Sequence, residues 1–198
     1  MKFFFCGGSN LTVSDRRNII LEEELFPNIV AKFFNAEYIN VAKVASSNKR
    51  TIRKIFYEYD MKDYDLIFID FTPYYRTEFY DNKEKKWFQI SPLAYCNTSH
   101  KEFRKVYYEE IYNTEYGHYN EKIEYNIITK YLNALGVNYS TMLSGFGTSD
   151  WKKVDKSKIL QTDYYTIDYP TKDLHLSLEG HQKIAQDIIK KYENILQR

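Results

Sequence analysis

The sequence predicts an α/β fold in which helices cover both faces of a parallel sheet. Segments with strand character alternate with segments of helical periodicity over residues 2–71. The segment 66–71 is dominated by apolar residues, as expected for a strand that is buried on both faces. Polar and small residues follow each predicted strand. Since parallel strands end at one edge of the sheet, we expect the ligand site at that edge.

The first elements follow from turn and capping signals. An apolar run ends abruptly at Gly7, which is typical of a strand that enters a tight turn. Pro27 suits the first position of a helix because it lacks an N–H group that a helix start leaves unpaired. Ser47 is a favourable N-cap, since its hydroxyl can accept a hydrogen bond from the first turn. The predicted elements are a strand over 2–6, a helix over 27–34, a strand over 37–41 and a helix from 47 to about 59.

The second half of the chain has weaker signals. Two strand-like segments flank Asn82-Lys83, the pattern of a β-hairpin, and a long region with helical periodicity follows. Glycine disfavours a helix interior, so we expect that region to break near Gly117. Ser177 is a second favourable N-cap. The predicted elements are a hairpin over 76–90, a helical region over 99–135, a strand near 137–143 and a final helix that starts after 177.

Histidines and cysteines show no metal-ligand spacing. His100 and His118 are expected at exposed helix positions, and His181 is expected to be structural because it falls in the first turn of the final helix. Cys6 and Cys96 are the only cysteines, so we expect no disulfide framework and a reducing compartment.

Length and charge favour one domain over residues 1–198, with a hairpin and helical insertion around 74–135. The net charge of +1 argues against a nucleic-acid-binding surface, which normally carries a basic excess. No run approaches the ~20 apolar residues of a membrane span. The apolar run before Gly7 is also too short for a signal sequence, so we expect a cytoplasmic protein.

Two motifs at opposite ends of the chain supply a serine, an imidazole and a carboxylate. Ser9 follows the first strand in Cys6-Gly7-Gly8-Ser9-Asn10, so a tight turn is expected to present it at the edge of the sheet. Asp173 and His175 are two residues apart, and side chains with that spacing point to one side of an extended backbone. A carboxylate there can fix the tautomer of an imidazole that acts as general base.

These motifs resemble the first and last blocks of the SGNH (GDSL-type) hydrolases, a family of serine esterases and lipases. Gly7-Gly8-Ser9-Asn10 resembles the nucleophile block, and Asp173-Leu174-His175 resembles the block with the acid and the base. Residues 39–48 resemble the second block, and residues 72–80 are similar to SGNH-like proteins of bacteriophages and other viruses. The resemblance implies a three-layer α/β/α sandwich with a flavodoxin-like parallel sheet, the SGNH hydrolase fold, and a triad of Ser9, His175 and Asp173.

The chain departs from the family pattern at three places. Gly8 stands where the family usually has Asp, and Ala45 stands where it usually has the Gly whose N–H helps to form the oxyanion hole. The third block, Gly-x-Asn-Asp, is absent. The resemblance implies that the backbone N–H groups of Ser9 and of Ala45 or Ser46 face the oxyanion.

Polar side chains near the predicted edge could replace the missing Asn. Asn48 and Thr72 are both expected at strand ends, and either could donate a hydrogen bond to the oxyanion. Asn48 could instead only cap the helix together with Ser47. Arg76 is either a clamp for a substrate carboxylate or phosphate, or a solvated loop residue.

The resemblance implies a serine esterase that hydrolyses a short-chain acyl ester, with O-acetyl groups on a carbohydrate as a reasonable substrate. The same residues fit a lipid ester or a thioester. No metal or organic cofactor is needed, and the expected partner is a small-molecule or carbohydrate ester. An acyltransferase would use the same residues. The other alternative is a non-catalytic binding or virion-structural module, favoured by Ala45 and the missing Asn and opposed by the intact Ser9, Asp173 and His175.

Overall fold

The computed structural model describes residues 1–8, 11–12, 21–92, 100–143 and 176–196. Single helical turns at Glu22–Glu24, Lys54–Glu58, Met61–Asp63 and Tyr107–Ile111 extend or connect the longer elements. The strands and helices are β1 Lys2–Cys6, α1 Phe26–Phe33, β2 Glu37–Asn40, α2 Asn48–Arg53, β3 Leu66–Phe71, β4 Thr77–Asp81, β5 Lys86–Ile90, α3 Lys101–Val106, α4 Thr114–Leu135, β6 Tyr139–Leu143 and α5 Leu178–Leu196.

The main sheet contains four parallel strands in the order β2-β1-β3-β6. Phe4 of β1 is in register with Ile39 of β2 on one side and with Ile67 of β3 on the other. Sequential strands that spread outward in both directions from β1 make a doubly wound sheet, with a switch point between β1 and β3. The predicted flavodoxin-like α/β/α class is therefore confirmed.

Each face of the sheet carries its own apolar cluster, because successive side chains of a strand point to opposite faces. On one face Phe5 and Phe68 pack against Phe26 of α1 and against α5. On the other face Phe4 and Ile69 pack with residues of α4 and the turn after α2. Every residue of β3 is buried, as the sequence predicts for a strand covered on both sides.

The structure confirms the predicted hairpin and both serine caps. β4 and β5 are antiparallel, with Phe79 opposite Phe88. The Ser47 hydroxyl accepts a hydrogen bond of 3.3 Å from the Arg50 N–H at the start of α2. At the start of α5, Ser177 Oγ accepts one of 3.1 Å from the Gly180 N–H.

The predicted helix break near Gly117 is wrong. The chain leaves helical geometry at Tyr112 and Asn113, and α4 runs without interruption through Gly117. The Asn113 side chain caps α4 by accepting a 2.7 Å hydrogen bond from the Tyr116 N–H. A Cβ on Gly117 would lie 2.5 Å from Tyr74 Cδ2, so the glycine lets the helix pass close to an aromatic side chain.

The histidines differ in role. His181 is buried and structural, as predicted, since its Nδ1 accepts the Phe26 N–H at 3.3 Å and burial lowers its pKa to about 4. His118 is partly exposed on α4. The exposed position expected for His100 is wrong, because its ring stacks on Phe88 at 3.7 Å and its Nε2 lies 2.8 Å from a carboxylate oxygen of Asp81.

Glu121 is an acid buried on the inner side of α4, with only 2 % of its surface exposed. One carboxyl oxygen has no hydrogen-bond partner, and the other lies 3.6 Å from His118 Nδ1. Burial, with a smaller contribution from the nearby Glu124, raises the pKa of Glu121 to about 8. The folded protein therefore holds a proton on this side chain that the unfolded chain releases near pH 4.5.

A carboxyl group whose pKa is higher in the folded state than in the unfolded state makes folding less favourable as pH rises from the unfolded-state pKa to the folded-state pKa. We expect Glu121→Gln, which keeps the shape and removes the charge, to raise the melting temperature relative to wild type at pH 8.5 more than at pH 5. Thermal unfolding at both pH values measures this difference. The exposed Glu110→Gln variant is the control, and its difference from wild type should be similar at both pH values. An equal effect of Glu121→Gln at both pH values would show that Glu121 does not titrate in this range.

Candidate active site

The ends of β1, β2 and β3 meet through short contacts at the carboxyl edge of the sheet. The Gly8 N–H, just beyond β1, donates a 3.3 Å hydrogen bond to a carboxylate oxygen of Asp70 in β3. The Gly7 carbonyl accepts one of 3.1 Å from the Lys43 N–H, just beyond β2. The segment that leads to Ser9 is thus held between both neighbouring strand ends.

The two glycines are required by this close approach. A Cβ on Gly7 would lie 2.4 Å from the Asp70 carbonyl oxygen, and the Gly7 φ of 149° favours glycine. A Cβ on Gly8 would lie 2.9 Å from Thr72 Cγ2 and 3.2 Å from Asp70 Oδ2. The Asp70 carboxylate of β3 therefore lies beside Gly8. SGNH hydrolases, which the sequence resembles, usually have Asp at the position of Gly8.

Ala45 has a left-handed backbone conformation, which glycine adopts most readily. Its φ is 58°, in the left-handed region, within a turn closed by a 3.0 Å hydrogen bond from the Ser46 N–H to the Lys43 carbonyl. An L-residue in this conformation costs about 1–2 kcal/mol. The turn also occupies the Ser46 N–H, and the Ser46 hydroxyl is buried without a hydrogen-bond partner.

Asn48 and Thr72 are joined by three hydrogen bonds. Asn48 Oδ1 accepts the Thr72 N–H at 2.8 Å and the Thr72 hydroxyl at 3.2 Å, while Asn48 Nδ2 donates to the Thr72 carbonyl at 3.1 Å. Both residues are almost fully buried. Because Ser47 caps α2, the Asn48 side chain is free of that role, and it fastens the start of α2 to the end of β3.

Arg76 lies beside the turn at Gly7 and Gly8. Its Nη1 is 3.9 Å from the position that a Cβ on Gly8 would occupy, and its buried Nε has no hydrogen-bond partner in the described part of the chain. The Arg76 N–H donates to the Pro73 carbonyl at 3.1 Å, which closes a turn after β3. The guanidinium lies 5.8 Å from the centre of the Tyr75 ring.

The structure therefore joins Asn48 to Thr72 and brings Arg76 next to Gly8, while Ala45 and Ser46 form the turn before α2. The candidate triad residues Ser9, Asp173 and His175 lie outside the described residues, as does Cys96. Within the described part of the chain, no group of His, Cys, Asp and Glu side chains could hold a metal ion. No helix of that part is long and apolar enough to cross a membrane.

Sequence reasoning missed two acids at this edge. Asp70 lies in β3. The signal that could have found it is that it is the one charged residue in the otherwise apolar strand Leu66–Phe71. Glu124 of α4 has its pKa raised to about 7 by burial, against the opposing effects of Lys49 and of a hydrogen bond from Asn48. Its signal was the spacing of Glu121 and Glu124, which at i,i+3 share one side of a helix.

No family model matches the chain, and no curated protein matches it in sequence. Solved structures do match. The first is a carbohydrate esterase whose active site is described as having divergent catalytic and non-catalytic binding functions. It has a TM-score of 0.60 at 15% identity, and the match covers 98% of this chain and 64% of the esterase. The esterase EstA from Pseudoalteromonas sp. has a TM-score of 0.58 at 8% identity over 100% and 99%. The acetylxylan esterase Axe2 from Geobacillus stearothermophilus has a TM-score of 0.53 at 10% identity over 96% and 93%. The chain thus has the three-layer α/β/α fold of SGNH hydrolases, which it shares with these esterases.

Proposed function

We propose that this protein is a serine esterase of the SGNH type that hydrolyses a short-chain acyl ester, with O-acetyl groups on a carbohydrate as the substrate class. The observation that carries the proposal is the position of Gly7 and Gly8, which precede Ser9 in the sequence and are hydrogen-bonded to the ends of β2 and β3 at the switch point of a doubly wound sheet. The three esterases that share the fold include a carbohydrate esterase and an acetylxylan esterase.

The anchoring of the two end motifs supports the triad. Leu11, two residues after Ser9, and Leu176, the residue after His175, are both buried in the apolar cluster that contains Phe5. The two motifs are far apart in sequence, yet they adjoin side chains of one cluster. This shared cluster supports the proposal that Ser9 and His175 act together, as a nucleophile and a general base must.

In the proposed reaction Ser9 Oγ attacks the ester carbonyl while His175 accepts the Ser9 proton. Asp173 orients the imidazole and stabilises its charged form. When the tetrahedral intermediate collapses, the bond to the alcohol oxygen breaks and His175 gives the proton to that oxygen. Water, deprotonated by His175, then attacks the acyl-enzyme, which releases the carboxylic acid and regenerates Ser9.

Donors at the strand ends would stabilise the oxyanion. The backbone N–H groups of Ser9 and Ala45 are the proposed pair, because the Ser46 N–H already bonds the Lys43 carbonyl. An Asn amide carries two N–H bonds, and one of those on Asn48 is used by the Thr72 carbonyl. The second is the proposed side-chain donor, for which Glu124 competes.

One observation bears on the non-catalytic alternative. Ala45 departs from the family pattern, which favours a binding or virion-structural module, yet the Ala45 backbone keeps the left-handed conformation of a glycine. A backbone shape that glycine favours at this position supports the enzyme over the binding module. An acyltransferase would use the same residues and would differ in the acceptor that takes the acyl group from Ser9.

A fluorophosphonate probe tests for the nucleophile directly. We expect stoichiometric labelling of Ser9, measured by intact mass and peptide mapping, and hydrolysis of p-nitrophenyl acetate.

Ser9→Ala and His175→Ala should each lower turnover by several orders of magnitude, and the double variant should be little worse, because the residues act as a unit. Asp173→Asn should have a similar or smaller effect. Full activity in Ser9→Ala would refute the serine assignment, and absence of labelling at alkaline pH would favour the binding module.

Asn48 has a separate test. Asn48→Ala should lower kcat by about 10²–10³ with a nearly unchanged KM if its amide stabilises the oxyanion. It should also lower the melting temperature, because the buried Thr72 N–H loses its acceptor. Ser47→Ala is the matched control: it removes the cap, costs about 1 kcal/mol of stability and leaves kcat close to wild type. A lower melting temperature with unchanged turnover in Asn48→Ala would assign the residue to the link between α2 and β3 alone.

A further inference from the structure

We propose that Arg76 binds a carboxylate of the substrate, so that the esterase is selective for acyl esters of acidic sugars such as uronic acids. This inference rests on the proposed function. It specifies the substrate class of the same site, and it assigns Arg76 to substrate recognition.

The position of Arg76 fits this role. Its Nη1 lies 3.9 Å from the position of a Cβ on Gly8, and Gly8 immediately precedes Ser9. Asp70, which approaches Gly8 through its Oδ2, accepts the Gly8 N–H. A guanidinium at this place can reach a group carried on the same sugar ring as the acyl ester. Its parallel N–H bonds match the two oxygens of a carboxylate.

The hydrogen-bonding state of Arg76 also points to a ligand. Its Nε is buried and finds no hydrogen-bond partner among the described residues, a condition that costs free energy when nothing compensates it. Arg53 shows the opposite case, because its Nε and Nη2 donate to the two carboxylate oxygens of Glu78, each at 2.9 Å. Among the residues that the structure describes, Arg76 has no ion pair of this kind. A structural arginine would be expected to resemble Arg53.

The loop that carries Arg76 is held in place. The Tyr108 hydroxyl donates a 2.6 Å hydrogen bond to the Tyr75 carbonyl, and the Arg76 N–H donates to the Pro73 carbonyl. The Tyr75 ring lies 5.8 Å from the guanidinium. Because the backbone is fixed at both residues, little order has to be gained when a carboxylate binds.

The test uses two substrates that differ only at the carboxyl group, which is charged in one and a neutral amide in the other. These are an O-acetylated methyl glucuronoside and its uronamide, and acetate release from each gives kcat/KM. We expect wild type to prefer the acid by about 10–100-fold, the range for a hydrogen-bonded charged pair. Arg76→Gln should bring the ratio of the two kcat/KM values close to one. Arg76→Lys should give an intermediate ratio, because it keeps the positive charge but loses the two parallel N–H donors of the guanidinium. The control Arg104→Gln removes the same charge on α3 and should keep the wild-type ratio. Thermal melting confirms that each variant is folded.

A binding measurement separates this inference from the proposed function. Calorimetric titration of wild type and Arg76→Gln with methyl glucuronoside and its uronamide requires no turnover. Preferential binding of the acid that disappears in Arg76→Gln supports the carboxylate site even if no ester is hydrolysed. Equal binding of acid and amide by wild type, or a preference that persists in Arg76→Gln, would overturn it. A preference lost equally in Arg104→Gln would also overturn it, because the effect would then be one of general charge.

Discussion

The close approach of the β1 end to β3 is the constraint on which the candidate site depends. No side chain fits at Gly7, and one at Gly8 would meet Thr72 and Asp70 at contact distances that require movement. The backbone and the carboxylate of Asp70 fill the space, and the carboxylate accepts a hydrogen bond from the Gly8 N–H. The backbone path through Gly7 and Gly8 is therefore set by steric contact with a fully buried strand, and such contacts deform little.

Three described residues at the same edge are the basis on which a catalytic role is proposed for it. The Asp70 carboxylate of β3 lies beside Gly8, where SGNH hydrolases usually have Asp, and Ala45 has a left-handed backbone conformation at a position where they usually have Gly. Asn48 of α2 contacts the end of β3, close to where the third-block Asn is missing from the sequence.

The sequence predicted the elements whose signals are local. The apolar runs of β1 and β3, the caps at Ser47 and Ser177, and the hairpin of β4 and β5 all appear close to their predicted places. The break at Gly117 was wrong because the pattern shows a glycine but not the Tyr74 ring that needs its space. The burial of His100 depends on Phe88 of the hairpin, a contact that periodicity does not encode. For the same reason, the sequence could suggest Asn48, Thr72 and Arg76 as site residues but could not show that Asn48 bonds Thr72 or that Arg76 adjoins Gly8.

The contact between His181 and Phe26 gives the fold an acid limit. The imidazole must be neutral to accept the Phe26 N–H, and it joins the start of α5 to the start of α1. Burial lowers its pKa to about 4 from 6.5, so its contribution to stability is present above about pH 6.5 and is lost as pH falls through about 4. Protonation would place two donors face to face and loosen the layer that covers one side of the sheet. The proposed general base would also lose its function by protonation in acid. Acid would thus weaken the contact that joins two helices on one face of the sheet, and with it the scaffold of the proposed site.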